Sequence, residues 1–311
     1  MNKKDVFRKF SLCLNSGKIP LPRIIHIETR SKCNSNCNFC PASVENDKRK
    51  DIHMGDSLID KILSDLSEVD YCGRVSFYNN NEPFLDERLF SLIAKARNRL
   101  PKAYLEIKTN GITINLEKII SIFNSGLDML YINYNATDYL LSSRIKEIKK
   151  ALFSLRRFKG HLEGNCYFSR IKFYKRYSNS VSGTRAGTSP NKGIKGNSLR
   201  RICLRPFEMM TISPEGNVSV CSEDFGYNIL MGSIVKSKII EIWNSKKWNE
   251  FRKHLLEGER NYNSTCSLCD YRGYSYEILK ENGVFSTLLV GELKEMIKKL
   301  LNWHKKDDWL S

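Results

Sequence analysis

Hydrophobic positions along the first half of the chain follow two alternating periods. Short runs with a two-residue period, such as 24–27 and 103–107, are typical of β-strands, and each is followed by a longer run with helical period. Strand runs also lie at 75–77 and 129–132, and the helical runs lie at 58–66, 89–96, 116–123 and 141–155. This βαβα order predicts an α/β fold with a parallel sheet and helical crossovers.

Unusual polar residues follow each of these predicted strands. Cys33 to Cys40 come after the first strand, 79–82 after the second and 109–111 after the third, and Asn133 and Asn135 end the fourth. Parallel α/β sheets place their functional loops at the carboxyl ends of the strands. The sequence therefore predicts a site at this end of the sheet.

The second half of the chain has a different pattern. Residues 170–206 contain ten Lys or Arg and no Asp or Glu, which predicts a mobile basic loop or a domain junction. The turn sequence at 213–217 predicts a hairpin that begins a second, smaller unit. Helical stretches at 239–243 and 248–256 follow, and an amphipathic helix is expected over about 287–304.

Composition and charge exclude several classes of protein. The 311 residues include 51 Lys or Arg and 34 Asp or Glu, a net charge of +17, and 41% are hydrophobic. These values describe an ordinary globular protein, and no apolar run approaches the roughly 20 residues of a membrane span. The apolar stretch near the N-terminus ends at Leu14, too short for a secretory signal, so a cytoplasmic location is expected. We expect no nucleic-acid partner, because no recognised nucleic-acid-binding module is visible and net charge alone is weak evidence for one.

Seven of the ten cysteines fall into groups, which favours metal ligands over disulfides in a reducing compartment. Cys33, Cys37 and Cys40 form CxxxCxxC, and Cys203, Cys221, Cys266 and Cys269 form the other set. Three cysteines can hold an iron–sulfur cluster that leaves one iron free, or a zinc ion completed by His26. The three ungrouped residues, Cys13, Cys72 and Cys166, are typical of buried thiols.

The segment from Cys33 to Pro41, with the aromatic Phe39 before the third cysteine, resembles the signature of the radical SAM enzymes. The resemblance implies that the three cysteines hold a [4Fe-4S] cluster whose fourth iron binds S-adenosylmethionine. Reductive cleavage of this molecule to methionine and a 5′-deoxyadenosyl radical then starts the reaction. An electron donor such as flavodoxin or ferredoxin is implied as a partner.

Further strand-end residues are similar to those of the same family. Asn81 and Glu82 stand in Asn-Asn-Glu-Pro, where the family has Gly-Gly-Glu-Pro, a motif that binds the methionyl amino group. Asn110, Asn133 and Asn135 match positions near the carboxylate and ribose of the cofactor. The alternative for each asparagine is a turn cap.

The second cysteine set is similar to the twitch domain, a shortened SPASM domain found in many radical SAM enzymes. Cys203, Gly216, Cys221, Cys266 and Cys269 reproduce its pattern, which implies one auxiliary [4Fe-4S] cluster; a zinc ribbon is the alternative. The implied fold is a partial (β/α)6 barrel followed by a small α+β twitch domain and a C-terminal helix. The boundaries expected are an N-terminal extension at 1–21, the barrel at 22–200, the auxiliary domain at 201–275 and the helix at 276–311.

This resemblance predicts a sugar, an aminocyclitol or a nucleotide- or lipid-linked saccharide as the substrate. A phosphate on the substrate would suit the basic segment 170–206, and a lipid-linked substrate would suit weak contact of the C-terminal helix with a membrane surface. A radical SAM maturase of a ribosomal peptide and a non-enzymatic, zinc-binding protein associated with nucleic acid remain alternatives.

Two outcomes are open for a substrate radical at a hydroxyl-bearing carbon. Oxidation needs an electron acceptor, for which an auxiliary cluster is suited, and a group that removes the hydroxyl proton; Arg185 is the candidate. Epimerisation needs a hydrogen donor, and Cys166, in an expected fifth strand, is the candidate.

Overall fold

The computed structural model of the protein describes residues 11–17, 19–157, 170–177, 183–192 and 199–271, and these belong to two compact units. The first unit comprises 1–18 and 272–311, of which a helix at 11–16 is described. The second spans 19–271 and contains all the elements below. Cys166 and the expected C-terminal helix lie outside the described residues.

Strands and helices alternate through most of the second unit, in the predicted order. The strands are β1 (Ile24–Ile27), β2 (Arg74–Ser76), β3 (Tyr104–Thr109), β4 (Met129–Asn135), β5 (Ile171–Arg176), β6 (Met209–Ile212), β7 (Asn217–Ser219) and β8 (Gly232–Ser233). The helices are α1 (Asp56–Glu68), α2 (Leu89–Arg99), α3 (Leu116–Asn124), α4 (Tyr139–Arg157), α5 (Arg205–Glu208), α6 (Ile239–Trp243), α7 (Lys246–Glu257) and α8 (Ser264–Ser267).

All eight strands form one sheet, in the order β5-β4-β3-β2-β1-β6-β7-β8. The strands from β5 to β6 pair in parallel, whereas β7 and β8 are antiparallel additions. The α/β fold with a partial barrel of six parallel strands is therefore confirmed. Its sixth strand, β6, comes from the predicted auxiliary domain and pairs with β1, and the domain boundary at 200/201 stays a prediction.

The two faces of the sheet differ in chemistry because successive strand residues point to opposite sides. Ile25, Val75 and Leu105 share one face, are fully buried, and belong to the core that includes the crossover helices. The other face carries polar residues: Arg74 Nη1 lies 3.0 Å from Glu106 Oε2 on the next strand. This face is the polar interior of the partial barrel.

The basic segment is only partly a loop. Residues 171–176 form β5, which contradicts the expectation of a mobile loop over 170–206 at these positions. Ile171 is buried in the core, whereas Arg176 at the other end of the strand is exposed. The basic residues Lys172, Lys175 and Arg176 obscured a strand in which Ile171 and Phe173 pack at the core.

The predicted hairpin is confirmed by the pairing of Thr211 with Ser219 and of Ile212 with Val218. Gly216 in its turn has φ +84°, and a Cβ there would lie 3.0 Å from a side-chain carbon of Leu58 on α1. Glycine is required at this position by both backbone conformation and packing.

Helices α6 and α7 contribute the main buried side chains of the segment after Cys203. Trp243 and Trp248 are fully buried with ring centroids 4.8 Å apart. The guanidinium of Arg252 stacks 4.1 Å from the Trp243 ring and donates to the carbonyls of Pro206 and Trp243 at 3.0 and 2.7 Å. These contacts fix α7 against the segment that begins at Cys203, whose backbone N donates to the carbonyl of Leu255.

Candidate active site

The first cysteine loop leaves β1 and is fastened to its surroundings by backbone hydrogen bonds. Cys40 N donates to the carbonyl of Cys37 at 3.0 Å, and Glu82 N donates to the carbonyl of Lys32 at 2.9 Å. Burial raises the pKa of the Cys33 thiol to about 12 and also raises the pKa of Cys40. Such thiols need a cation or a metal cluster to become thiolates.

Asn110 joins the loops that follow β1, β2 and β3. Its Nδ2 lies 3.6 Å from Cys33 Sγ and 2.8 Å from Asn34 Oδ1, and its backbone N donates to Glu82 Oε2 at 2.7 Å. Three of the four strand ends therefore meet at the position expected from the sequence.

Glu82 is a buried acceptor at the centre of these loops. Its Oε1 accepts from Thr109 Oγ1 at 2.6 Å and from Phe84 N at 3.2 Å. Burial raises the pKa of this carboxyl to about 7, although these donors act in the opposite direction. A buried carboxyl of this kind is a suitable partner for an ammonium group.

The other asparagines expected to contact the cofactor differ in whether their side-chain polar atoms already make hydrogen bonds. Asn81 Oδ1 accepts from Asn79 N at 2.9 Å, while its buried Nδ2 has no hydrogen-bond partner in the described part of the chain. Asn133 Oδ1 is buried and equally unpartnered within the described ranges. Asn135 Oδ1 caps the turn after β4 by accepting from Thr137 N and Oγ1 at 3.1 and 2.7 Å, the alternative named from the sequence.

The second cysteine set lines a single cavity. Cys203, Cys221, Cys266 and Cys269 surround a space of about 410 Å³, part of it open to solvent, with Arg205 and Arg260 also in the wall. Burial raises the pKa of Cys203 and of Cys221 to about 11, and raises that of the other two thiols as well. Four thiols around one cavity suit a four-iron cluster.

Neither set is arranged for a single metal ion. Within the described residues, no three His, Cys, Asp or Glu side chains are close enough to hold one. His26 is not part of any such group among these residues; its ring lies inside the barrel, where Nδ1 hydrogen-bonds to the carbonyl of Tyr78 at 3.0 Å.

A strained turn lies between the two cysteine sets. Arg185 and Ala186 have φ of +49° and +50°, a conformation that side chains other than glycine rarely adopt. On one side, Thr184 N donates to Asp270 Oδ1 at 2.8 Å, next to Cys269. On the other side, Ser189 Oγ donates to the carbonyl of Phe39 at 2.9 Å, next to Cys40.

Arg185 reaches from this turn across the mouth of the barrel. Its Nη2 donates to Asn80 Oδ1, and its Nη1 lies 3.8 Å from Glu223 Oε2. The reasoning from sequence named Arg185 but missed Asn80 and Glu223 as its partners. Glu223 stands two residues after Cys221, which is the one sequence signal that could have identified it.

A second polar cluster under the site was also missed. Glu28, fully buried directly after β1, accepts from Arg49 Nη1 at 2.8 Å and from the Tyr227 hydroxyl at 2.8 Å. Asn79 Nδ2 donates to the same hydroxyl at 2.9 Å. The position of Glu28 at the carboxyl end of β1 was the sequence signal that could have identified it. Through Tyr227, these hydrogen bonds hold the barrel against the segment after Cys221.

Comparison with family models assigns both parts of the chain. Residues 27–168 match the radical SAM superfamily, and residues 203–270 match an iron–sulfur cluster-binding domain, SPASM. None of the helices in the described ranges has the length and hydropathy needed to cross a bilayer.

Individual relatives agree with these matches. The chain is 28% identical over 251 residues to an S-adenosyl-L-methionine-dependent 2-deoxy-scyllo-inosamine dehydrogenase of Niallia circulans, covering 79% of this chain and 92% of that protein. The crystal structure of BtrN in complex with AdoMet and 2-DOIA superposes with a TM-score of 0.68 at 25% identity, covering 81% of this chain and 94% of that one. Native anSMEcpe with bound AdoMet shares the fold, with a TM-score of 0.51 at 13% identity over 89% and 100% of the two chains.

These findings confirm the cofactors expected from the sequence: S-adenosylmethionine, its [4Fe-4S] cluster and an auxiliary iron–sulfur cluster. The alternative of a non-enzymatic zinc protein is wrong, because both cysteine sets fall within matched iron–sulfur domains. The chain therefore carries a radical SAM domain at 27–168, followed by a SPASM-type iron–sulfur cluster-binding domain at 203–270.

Proposed function

We propose that the protein is a dehydrogenase that oxidises a secondary hydroxyl group of a small aminocyclitol to a ketone. The observation that carries the proposal is the position of Arg185, which contacts Asn80 in the loop after β2 and Glu223, two residues after Cys221. The similarity to an inosamine dehydrogenase supports the substrate class.

The cysteines divide between two clusters in this proposal. Cys33, Cys37 and Cys40 hold the cluster that binds S-adenosylmethionine, and the other set holds the auxiliary cluster: Cys203, Cys221, Cys266 and Cys269. Glu82 receives the amino group of the cofactor, and further contacts come from Phe39, Asn81, Asn110, Asn133 and Asn135. When bound, the first cluster and S-adenosylmethionine supply the radical that abstracts hydrogen, and the auxiliary cluster supplies an electron acceptor.

Unpartnered polar atoms at the strand ends suit a substrate rich in hydroxyl and amino groups. Asn79 Oδ1, Asn80 Nδ2 and Arg185 Nε are buried without hydrogen-bond partners among the described residues. An unmade hydrogen bond of a buried group costs about 1–3 kcal/mol, and a ligand that makes it recovers this energy. Such groups also discriminate strongly against substrates that lack the matching hydroxyl.

The overall reaction balances without a further oxidant. The alcohol carbon loses a hydrogen atom to the deoxyadenosyl group, and the resulting radical loses one electron and its hydroxyl proton to become the ketone. One electron enters when S-adenosylmethionine is cleaved and one is released here. The net products are ketone, methionine, 5′-deoxyadenosine and one proton.

The roles of Arg185 and its neighbour follow from their chemistry. An arginine side chain stays protonated in proteins, so it cannot remove the hydroxyl proton as the sequence suggested. We assign to Arg185 the task of holding the substrate oxygen through charge-assisted hydrogen bonds. Glu223, whose carboxylate lies 3.8 Å from Arg185, is the proton acceptor in this proposal.

An electron-donor protein and a phosphate group on the substrate, both expected from the sequence, remain part of the proposal. A flavodoxin or ferredoxin would supply the electron for cleavage of S-adenosylmethionine. A phosphate on the substrate would lie near β5, where Lys172 and Arg176 belong to the polar face of the barrel. Contact of the C-terminal segment with a membrane surface concerns residues outside the described ranges.

The test is an anaerobic reaction of the reconstituted protein with S-adenosylmethionine, reductant and 2-deoxy-scyllo-inosamine. We expect equal amounts of 5′-deoxyadenosine and ketone by mass spectrometry, and neither product from Cys33→Ala. If S-adenosylmethionine were cleaved but no ketone formed with this compound or with a panel of related aminocyclitols, the proposed substrate class would be contradicted. Formation of the epimeric alcohol would identify an epimerase.

A further inference from the structure

We propose that Arg205 and Arg260 are the counter-charges of the auxiliary cluster and raise its reduction potential. The proposal stands on two guanidinium groups in the wall of the four-cysteine cavity, a buried one on Arg260 and a largely buried one on Arg205. It rests on the assignment of these cysteines under the proposed function, but it does not depend on which substrate the enzyme oxidises.

Arg205 lies two residues after Cys203 and is held by weak or neutral partners. Its side chain is 15% exposed, its guanidinium stacks 4.1 Å from the Tyr271 ring, and its Nη1 lies 3.2 Å from Ser222 Oγ. Glu223 approaches it only to 3.8 Å and is shared with Arg185. Its buried Nε has no acceptor in the described part of the chain.

Arg260 occupies another part of the cavity wall and is more deeply buried. It is 2% exposed, and its Nε and Nη1 donate to the backbone carbonyls of Arg201 and Tyr271 at 3.1 and 2.5 Å. Its Nη2 is buried with no acceptor among the residues that the structure describes. Carbonyl oxygens orient the guanidinium but do not neutralise its charge.

A buried cation whose partners do not neutralise it is costly, and a protein keeps one where an anion offsets the cost. The thiols in the same cavity provide this anion once they hold the cluster, because four thiolates outweigh the charge of a four-iron core. The unpartnered N–H groups are then available to donate to cluster or cysteine sulfur. Hydrogen bonds to sulfur and nearby charge are the means by which proteins set cluster potentials.

The sign of the effect follows from electrostatics. Reduction adds one negative charge to the cluster, and nearby positive charge stabilises the reduced state more than the oxidised state in a medium of low dielectric constant. The two arginines therefore raise the potential, which favours transfer of the electron from the substrate radical. Both arginines act on the substrate only through the cluster, since they need not contact the substrate.

The test is a redox titration followed by electron paramagnetic resonance in the enzyme with both clusters loaded. The signal that changes on addition of S-adenosylmethionine serves as an internal reference, and the unresponsive signal reports the auxiliary cluster. Arg205→Gln and Arg260→Gln remove one charge each, Arg205→Lys keeps the charge, and Arg200→Gln removes an exposed charge from the same segment.

We expect both glutamine variants to lower the potential of the unresponsive signal only, with Arg205→Lys and Arg200→Gln close to the wild type. Loss of about four irons in a glutamine variant but not in Arg205→Lys would also support the proposal, because the charge is then needed to retain the cluster. An unchanged potential with full iron content, or equal iron loss in the Lys and Gln variants of Arg205, would overturn it. If the wild type gave no signal that is unresponsive to S-adenosylmethionine, the assignment of the auxiliary cluster itself would be overturned. If the enzyme merely failed to oxidise the proposed substrate, the measured potentials would still test the role of the two arginines.

Discussion

Arg185 Nη1 lies 3.8 Å from Glu223 Oε2, and this pair joins the two halves of the site. Arg185 belongs to a turn fastened to the loop of the first cysteine set, whereas Glu223 follows Cys221 of the second. A substrate between the clusters would meet a fixed positive charge and a carboxylate together. This arrangement suits removal of a hydrogen atom and of a proton from neighbouring atoms of one alcohol group.

Arg185→Lys keeps the charge but loses the planar, two-donor geometry of the guanidinium. We expect kcat/KM for the alcohol to fall by about 10–100-fold, since hydrogen bonds to charged groups contribute about 1.5–3 kcal/mol. The ratio of ketone to 5′-deoxyadenosine, measured by mass spectrometry, should fall as well. Arg200→Lys at an exposed position is the matched control; a similar loss there would show a general effect of replacing arginine by lysine.

Cys266→Ala should remove the auxiliary cluster and leave the first one. Iron analysis should give about four irons per chain where the wild type has about eight. Cleavage of S-adenosylmethionine should continue while ketone formation is lost. Cys72→Ala changes a cysteine outside both sets and should keep all the iron. The thiol of Cys72 is exposed, so its expected burial is wrong. Full iron content in Cys266→Ala would refute its role as a ligand.

Glu82 makes the stability of the protein depend on pH when neither the clusters nor S-adenosylmethionine are bound. Its pKa is about 7 when folded and near 4.5 when unfolded, so between these values the folded state holds a proton that the unfolded chain has lost. The free energy of unfolding therefore decreases as pH rises through this range. Relative to Glu82→Gln, the wild type should lose about 2 kcal/mol between pH 5.5 and 8.5.

Anaerobic urea unfolding at several pH values measures this difference. Glu117→Gln, at an exposed position in the first turn of α3, is the control and should follow the wild-type curve. Parallel curves for wild type and Glu82→Gln would show that the pKa of Glu82 is not raised.

Cys166→Ala separates oxidation from epimerisation. For a dehydrogenase, ketone formation should be unchanged, because no hydrogen atom is returned to the substrate. For an epimerase that uses this thiol, deuterium from D₂O should enter the product of the wild type, and the variant should lose that label while still forming 5′-deoxyadenosine. Nuclear magnetic resonance of the product decides between them.

The sequence by itself determined the order of the elements, the strand ends that form the site and the two cysteine sets. These properties depend on local periodicity and on spacing along the chain, which a sequence displays directly. The resemblance carried by Cys33 to Pro41 supplied the cofactors for the same reason, since its residues are contiguous.

Only the tertiary structure decided which distant residues meet. Arg185 contacts Asn80 and Glu223, and Arg205 and Arg260 border one cavity, although each set is scattered along the chain. The sequence led us to expect a fifth strand around Cys166 but did not identify Ile171–Arg176 as β5, because basic residues there share a strand with core residues. Burial and long-range contact arise when the sheet forms, so no local pattern records which charged side chains lose water or which partner they gain.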